Sequence, residues 1–188
     1  TDPARHGATR TSASSTSGAW TESADHAADW LSAAVGGLSM QHAKTVAIIG
    51  GGPAGLMAAE VLSRANLQVD LFDAMPSVGR KFLMAGKGGM NITHSEPAAA
   101  FRARYGAREE RISALLDGFG PETLREWIHG LGIDTFVGSS GRVFPIDMKA
   151  APLLRAWLHR LREAGVHFHV RHRWYGIEQQ ENGGYQLR

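Results

Sequence analysis

Three glycines set between two apolar runs constrain this chain more than anything else in it. Val46 to Ile49 is apolar, Gly50, Gly52 and Gly55 follow at G-x-G-x-x-G spacing, and a second apolar run, Val69 to Phe72, ends on Asp73. Strand, glycine turn, helix, second strand and acid in that register make a β-α-β unit of dinucleotide-binding shape. Gly50 permits the tight turn out of the strand. Gly52 has no Cβ to hold a pyrophosphate away from the backbone, and Gly55 lets the helix approach its strand. Ala59, four residues on, keeps that contact face small. The helix start then directs unpaired N–H groups and the positive end of its dipole at the phosphates. Asp73 is placed to accept hydrogen bonds from ribose hydroxyls, and its charge would repel a 2′-phosphate. That favours FAD or NAD over NADP.

Composition narrows the classes further. The 188 residues suffice for one domain with a substantial core, or one domain and part of another. Cysteine is absent, which removes disulfides, cysteine-ligated metal and a thiol nucleophile from the 188 residues. A net charge of +2 is too small to argue for nucleic acid, and no apolar run approaches the roughly 20 residues of a membrane span. Residues 1–40 are rich in Ser, Thr, Ala and Gly and read as a disordered arm, with 41–188 as the nucleotide-binding domain. Asp25 and Asp29 interrupt the one apolar patch of the arm, against a targeting signal and for a cytoplasmic protein. Met40 reads as the natural start. The chain begins on Thr and stops inside a strand-like stretch, so it reads as an N-terminal fragment.

Beyond Asp73, a turn-rich connection leads to Arg80 and Lys81 and then to a glycine-dense loop from Gly86 to His94, with Lys87 in its middle. Such a loop can bring backbone amides against a phosphate or a flavin ring, although glycine clusters are also common in plain loops. Ile112, Leu115, Leu116 and Phe119 then follow helical spacing. A second helix from Pro121 carries Leu124, Trp127, Ile128 and Leu131 inward, with Trp127 in the core rather than stacked on a cofactor. Arg102, Arg104, Arg108 and Arg111 read as a solvated face rather than an anion site. Ile133 to Val137 and Arg142 to Phe144 form a hairpin around Gly138 to Gly141. Lys149 to Ala164 is a helix with Pro152 in its first turn, Leu153, Leu154, Trp157, Leu158 and Leu161 inward, and Arg155, Arg160 and Arg162 outward. His167 and His169 share one face of the next strand and read as solvated rather than as metal ligands. Trp174 to Glu178 and Tyr185 to Leu187 bracket Asn182-Gly183 as a last hairpin.

The stretches VAIIGGGPAGLMAAEVL, DAMPSVGRKFLMAGKGGMNITHSEP and SSGRVFPIDMKAAPLLRAWL together resemble a family of FAD-dependent oxidoreductases of the aminoacetone oxidase-like, conserved NAD(P)/FAD-dependent type, most closely a bacterial subgroup. The resemblance runs from Thr45 to about Arg188. It implies an α/β, Rossmann-like FAD-binding domain, incomplete here, with part of an inserted substrate-side region within 107–147. It implies that Gly50, Gly51, Gly52, Pro53, Ala54 and Gly55 hold the FAD pyrophosphate and that Asp73 and Ala74 meet the adenosine ribose. Arg80, Lys81, Gly88, Gly89, Asn91 and Thr93 would lie along the cofactor toward the flavin, and Trp174 near the adenine. Where many relatives read Ser-Gly-x-Gly-Arg-Cys-Asn, this chain has Lys87, Gly89 and Met90, so no cysteine or arginine chemistry transfers, while Asn91 and Thr93 match. Ser139, Ser140 and Arg142 are substrate-side candidates.

The expected activity is hydride transfer between FAD and a small organic substrate, with NAD(P)H or dioxygen as the other redox partner and neither nucleic acid nor membrane involved. Two other readings are an NAD-only dehydrogenase, which has no need of the loop after Asp73, and a nucleotide-binding fragment without turnover. Residues 1–188 alone are expected to retain FAD weakly or not at all.

Overall fold

The computed structural model describes residues 45–65, 67–85 and 88–188. The arm, Met40, Gly86 and Lys87 lie outside them. Strand β1 (Thr45–Ile49) runs into helix α1 (Pro53–Arg64) and back to β2 (Gln68–Asp73). A short helix α2 (Arg80–Ala85) and a two-residue strand β3 (Thr93–His94) come next. Then follow α3 (Ala98–Ala103), a 3-10 turn at Gly106–Arg108, α4 (Glu109–Gly118) and α5 (Pro121–His129). Strands β4 (Thr135–Val137) and β5 (Arg142–Pro145) precede the long helix α6 (Ala150–Glu163), and β6 (His167–Val170), β7 (Ile177–Gln179) and β8 (Tyr185–Leu187) complete the order.

The main sheet is parallel, in the order β1-β2-β6. Val69 and Leu71 on one face of β2 are fully buried, and Leu56 and Ala59 of α1 are buried with them. That is the alternation of a strand covered on one side. Helix α6 closes the core with Leu153, Leu154, Trp157 and Leu161. Pro152 is the third residue of α6, inside the turn where its missing N–H costs nothing. A second, antiparallel sheet has the order β3-β5-β4, and β7 and β8 form a separate hairpin.

Four expectations need correction. Arg160 turns inward: its Nη2 lies 2.6 Å from a carboxylate oxygen of Glu60, a residue only 3% exposed. Glu60 also accepts from the indoles of Trp127 (3.2 Å) and Trp157 (2.6 Å) and from Arg64 (2.6 Å), so one buried carboxylate ties α1 to α5 and α6. The two indoles meet edge to face at 4.7 Å, and Arg160 lies over Trp127. Burial pulls the Arg160 guanidinium below its ordinary value, with Glu60 opposing. The Arg160 contact with Glu60 is off line, ionic rather than a directed hydrogen bond, and its Nε has no acceptor.

Leu115, expected on an apolar stripe, is 68% exposed, and α4 buries none of its residues. Helical period survives there without a partner element on that face. The last hairpin starts later than expected, at Ile177, which leaves Trp174 in irregular backbone ahead of it.

His169 is the fourth correction. In the β2–β6 register Asp70 stands opposite His167 and Phe72 opposite His169. His169 Nε2 lies 2.7 Å from Asp70 Oδ1 and its ring stacks on Phe72 at 4.5 Å, so this face is paired rather than simply solvated. The hydrogen bond from His169 holds the Asp70 carboxyl below its ordinary 3.8, against a smaller opposing effect of burial and with help from the charges of His169 and His167. A carboxyl whose folded pKa is depressed contributes stability that is complete above its unfolded value and lost as pH falls through the folded one. We therefore expect the stability difference between the wild-type protein and Asp70→Asn to shrink as pH falls below 3.8. Denaturant midpoints measured across that window check it.

Candidate functional site

The turn after β1 is held at three points. Gly50 N–H donates to the Phe72 carbonyl at 2.8 Å, Gly51 N–H donates to Asp73 Oδ2 at 2.7 Å, and Gly79 N–H donates to the Gly51 carbonyl at 2.7 Å. Asp73 is thus a brace of the turn as well as a ribose candidate, and its Oδ1 accepts the Met75 N–H at 2.7 Å. A carboxylate has about four acceptor positions, so two remain for hydroxyls. Gly50 adopts φ +104°, which side chains avoid. A Cβ at Gly55 would collide with the Gly50 carbonyl oxygen, and one at Gly51 would sit 2.9 Å from Asp73 Oδ2.

Gly52 is different. Its backbone is extended, at φ −80° and ψ 179°, and a Cβ there would meet no protein atom within 4 Å. The space beside it opens at the start of α1, where Pro53 takes the first helical position and no side chain caps the free N–H groups. Backbone donors, a helix start and an open approach give a pyrophosphate the surroundings it needs. These residues fit the ADP half of a dinucleotide.

The remaining candidates fall into two further groups. Ala74 is exposed beside Asp73, and Arg80 and Lys81 open α2 directly after Gly79, both exposed. Gly79 itself is needed, with φ +71° and Leu154 only 2.6 Å from where its Cβ would stand. Gly88 is exposed and Gly89 has φ +106°. Asn91 spends its amide donors on the carbonyls of Thr93 (2.8 Å) and Val143 (3.1 Å), and Thr93 is buried as a strand residue of β3. The segment before Trp174 returns to the first group: Arg171 N–H donates to the Met75 carbonyl and His172 N–H to the Asp73 carbonyl, both at 3.0 Å. Trp174 is 48% exposed two residues further on. Of the substrate-side candidates, Arg142 lines a cavity of about 530 Å³; Ser139 and Ser140 sit in the β4–β5 turn. Arg102 and Arg104 pair with Asp117 and Glu96.

Sequence reasoning missed the Glu60 cluster and the two-residue β3. The one trace of the first was an acid set four residues before Arg64 among Ala58, Ala59, Val61 and Leu62. Among the described residues no group of three or more His, Cys, Asp or Glu is placed to hold a metal ion. No described helix is long and apolar enough to cross a membrane.

A family model described as "HI0933-like protein Rossmann domain" matches residues 44–188. The "Putative oxidoreductase UacF" of Escherichia coli K12 is 59% identical over 34 residues, a stretch that makes up 18% of this chain and 5% of that protein. Among solved structures, THI4 of Thermovibrio ammonificans aligns over 93% of this chain and 55% of its own, with 18% identity and a TM-score of 0.45. A variant of 2-methyl-3-hydroxypyridine-5-carboxylic acid oxygenase aligns over 78% and 38%, with 19% identity and a TM-score of 0.40.

Proposed function

The chain belongs to the HI0933-like Rossmann-domain family, and from that premise we propose that it carries the ADP-binding part of an FAD-dependent oxidoreductase acting on a small organic molecule. The observation that supports this reading most is the hydrogen-bonded turn around Gly52, where a Cβ would meet no protein atom within 4 Å at the start of α1. When bound, FAD supplies the redox chemistry as a carrier of a hydride equivalent. The residues of this chain bind and orient. The N–H groups of Gly52, Ala54 and Gly55 would face the pyrophosphate, with Gly51 N–H held by Asp73 and Pro53 fixing the direction of the helix behind them. Asp73 and Ala74 meet the ribose, and the Asp73 charge selects against a 2′-phosphate. Arg80 and Lys81 add positive charge along the cofactor toward the flavin. Gly88, Gly89, Asn91 and Thr93 border the flavin side, and the backbone at Trp174 borders the adenine. NAD(P)H or dioxygen completes the redox cycle, and a cytoplasmic setting suits such a protein.

Gly52→Val tests the reading. The extended backbone of Gly52 accepts a side chain and its Cβ meets no protein atom within 4 Å, so the fold loses only about 1 kcal/mol, from the poorer N-cap. The side chain would instead occupy the space assigned to the pyrophosphate. We expect the weak FAD affinity of residues 1–188, followed by flavin absorbance on titration, to fall by at least about tenfold, or ~1.4 kcal/mol. Unchanged affinity would overturn the assignment.

A further inference from the structure

The cavity of about 530 Å³ lies between α3, α4 and α5 on one side and the β3–β5 edge on the other. Its size falls among small-molecule sites, roughly 300–1,000 Å³. Phe101, Tyr105, Phe119 and Leu124 give it apolar and aromatic walls, and Arg104 and Arg142 stand on its lining. The charges around it do not cancel. Arg104 is matched by Glu96, with Nε 2.6 Å from Oε1 and Nη2 2.9 Å from Oε2. His94 is fixed as a tautomer by two backbone groups: Glu96 N–H donates to its Nδ1 at 3.1 Å, and its Nε2 donates to the Ser140 carbonyl at 3.0 Å. Arg142 has no carboxylate partner among the described residues, although its backbone is fixed opposite His94 in the β3–β5 register. Arg142 is thus an exposed lining residue of a cavity with aromatic walls, its charge without a carboxylate partner among the described residues.

We propose that this cavity binds a small organic monocarboxylate, its apolar body between Phe101, Phe119 and Leu124 and its carboxylate on Arg142. A planar guanidinium recognises a carboxylate through two parallel N–H donors. A single negative charge balances Arg142, whereas the second charge of a dianion would find Arg104 already paired with Glu96. Asn91 and Thr93 line the same cavity and are assigned above to the flavin side. The bound carboxylate is thereby the substrate class of the oxidoreductase, a step that rests on the FAD reading.

The test reads binding without flavin or turnover, so it fails separately from the Gly52→Val experiment. Benzoate is titrated by calorimetry into the full chain, into Arg142→Gln and into Leu124→Trp, which fills the cavity; benzamide and inorganic phosphate are the comparison ligands. Arg142 is exposed and Leu124 half-buried, and the unfolding midpoint of each variant confirms that it is folded. The proposal expects saturable benzoate binding that weakens about tenfold in Arg142→Gln, the order of a charge-assisted hydrogen bond, and disappears in Leu124→Trp. Benzamide is expected to bind more weakly and to be indifferent to Arg142. Absent benzoate binding, equal binding of benzoate and benzamide, binding untouched by Arg142→Gln, or tight phosphate without benzoate each overturns it.

Discussion

Glu60→Leu is expected to cost about 3–5 kcal/mol of folding stability, the range for removing one member of a buried charge cluster. Leucine fills the volume but leaves the Trp127 and Trp157 indole N–H groups without their acceptor and the Arg160 guanidinium without its counter-charge. Each orphaned buried donor adds its own desolvation cost. Arg64, 41% exposed, can turn to water and contributes least. For a domain holding roughly 5–15 kcal/mol in total, the loss lowers the thermal midpoint by about 10–20 °C. Glu60→Gln keeps an acceptor for one indole and should lose less. Replacing Arg160 by Met in the Glu60→Leu background should recover part of the loss, since it removes the unpaired charge. Urea unfolding of the three variants orders them. A Glu60→Leu protein as stable as the wild type would mean that the cluster only fills space.

Gly55→Ala is the second large effect, and it strikes fold and cofactor together. The added Cβ meets the Gly50 carbonyl oxygen, a backbone atom that cannot step aside as a side-chain tip can. Either α1 lifts from β1 or the turn opens, and the Gly50–Phe72 and Gly51–Asp73 hydrogen bonds are what it would open against. Overpacking of this kind costs about 1–3 kcal/mol, more where nothing relaxes. We expect the upper end, with loss of FAD binding beyond what Gly52→Val causes. The pair of variants is informative because two glycines three residues apart fail differently. Gly52→Val lowers the midpoint little, through its N-cap alone, while Gly55→Ala lowers it more. Equal midpoints for the two would contradict the geometry described here.

The β-α-β turn was legible because its determinants are local. Gly50 needs its φ, Gly55 needs its lack of a Cβ, and Asp73 ends its strand, all within one supersecondary unit. Helices α5 and α6 were legible through apolar spacing, which reflects a buried face. Glu60 was not, since its reason for being inside comes from Trp157, 97 residues away. Arg160 was misread for the same cause: on a helix wheel it belongs to the charged side, and only the arrival of α1 turns it inward. The Asp70–His169 pair joins residues 99 apart. Strand β3, two residues long, exists only because β5 offers Val143 and Arg142 as partners. Leu115 errs the opposite way, with helical periodicity and no element to bury it.

The order β1-β2-β6 also carries a kinetic consequence. The first two strands and the helix between them lie within 29 residues of chain, whereas β6 reaches β2 only after the stretch from Asp73 to His167 has looped out and returned. Closing so long a loop is entropically costly, and parallel pairing offers no hairpin to guide it. The Glu60 cluster and the Asp70–His169 pair are completed by that same stretch, through α5, α6 and β6. They hold the loop shut once it has closed, and while it is still open the cofactor turn has only the earlier part of its frame.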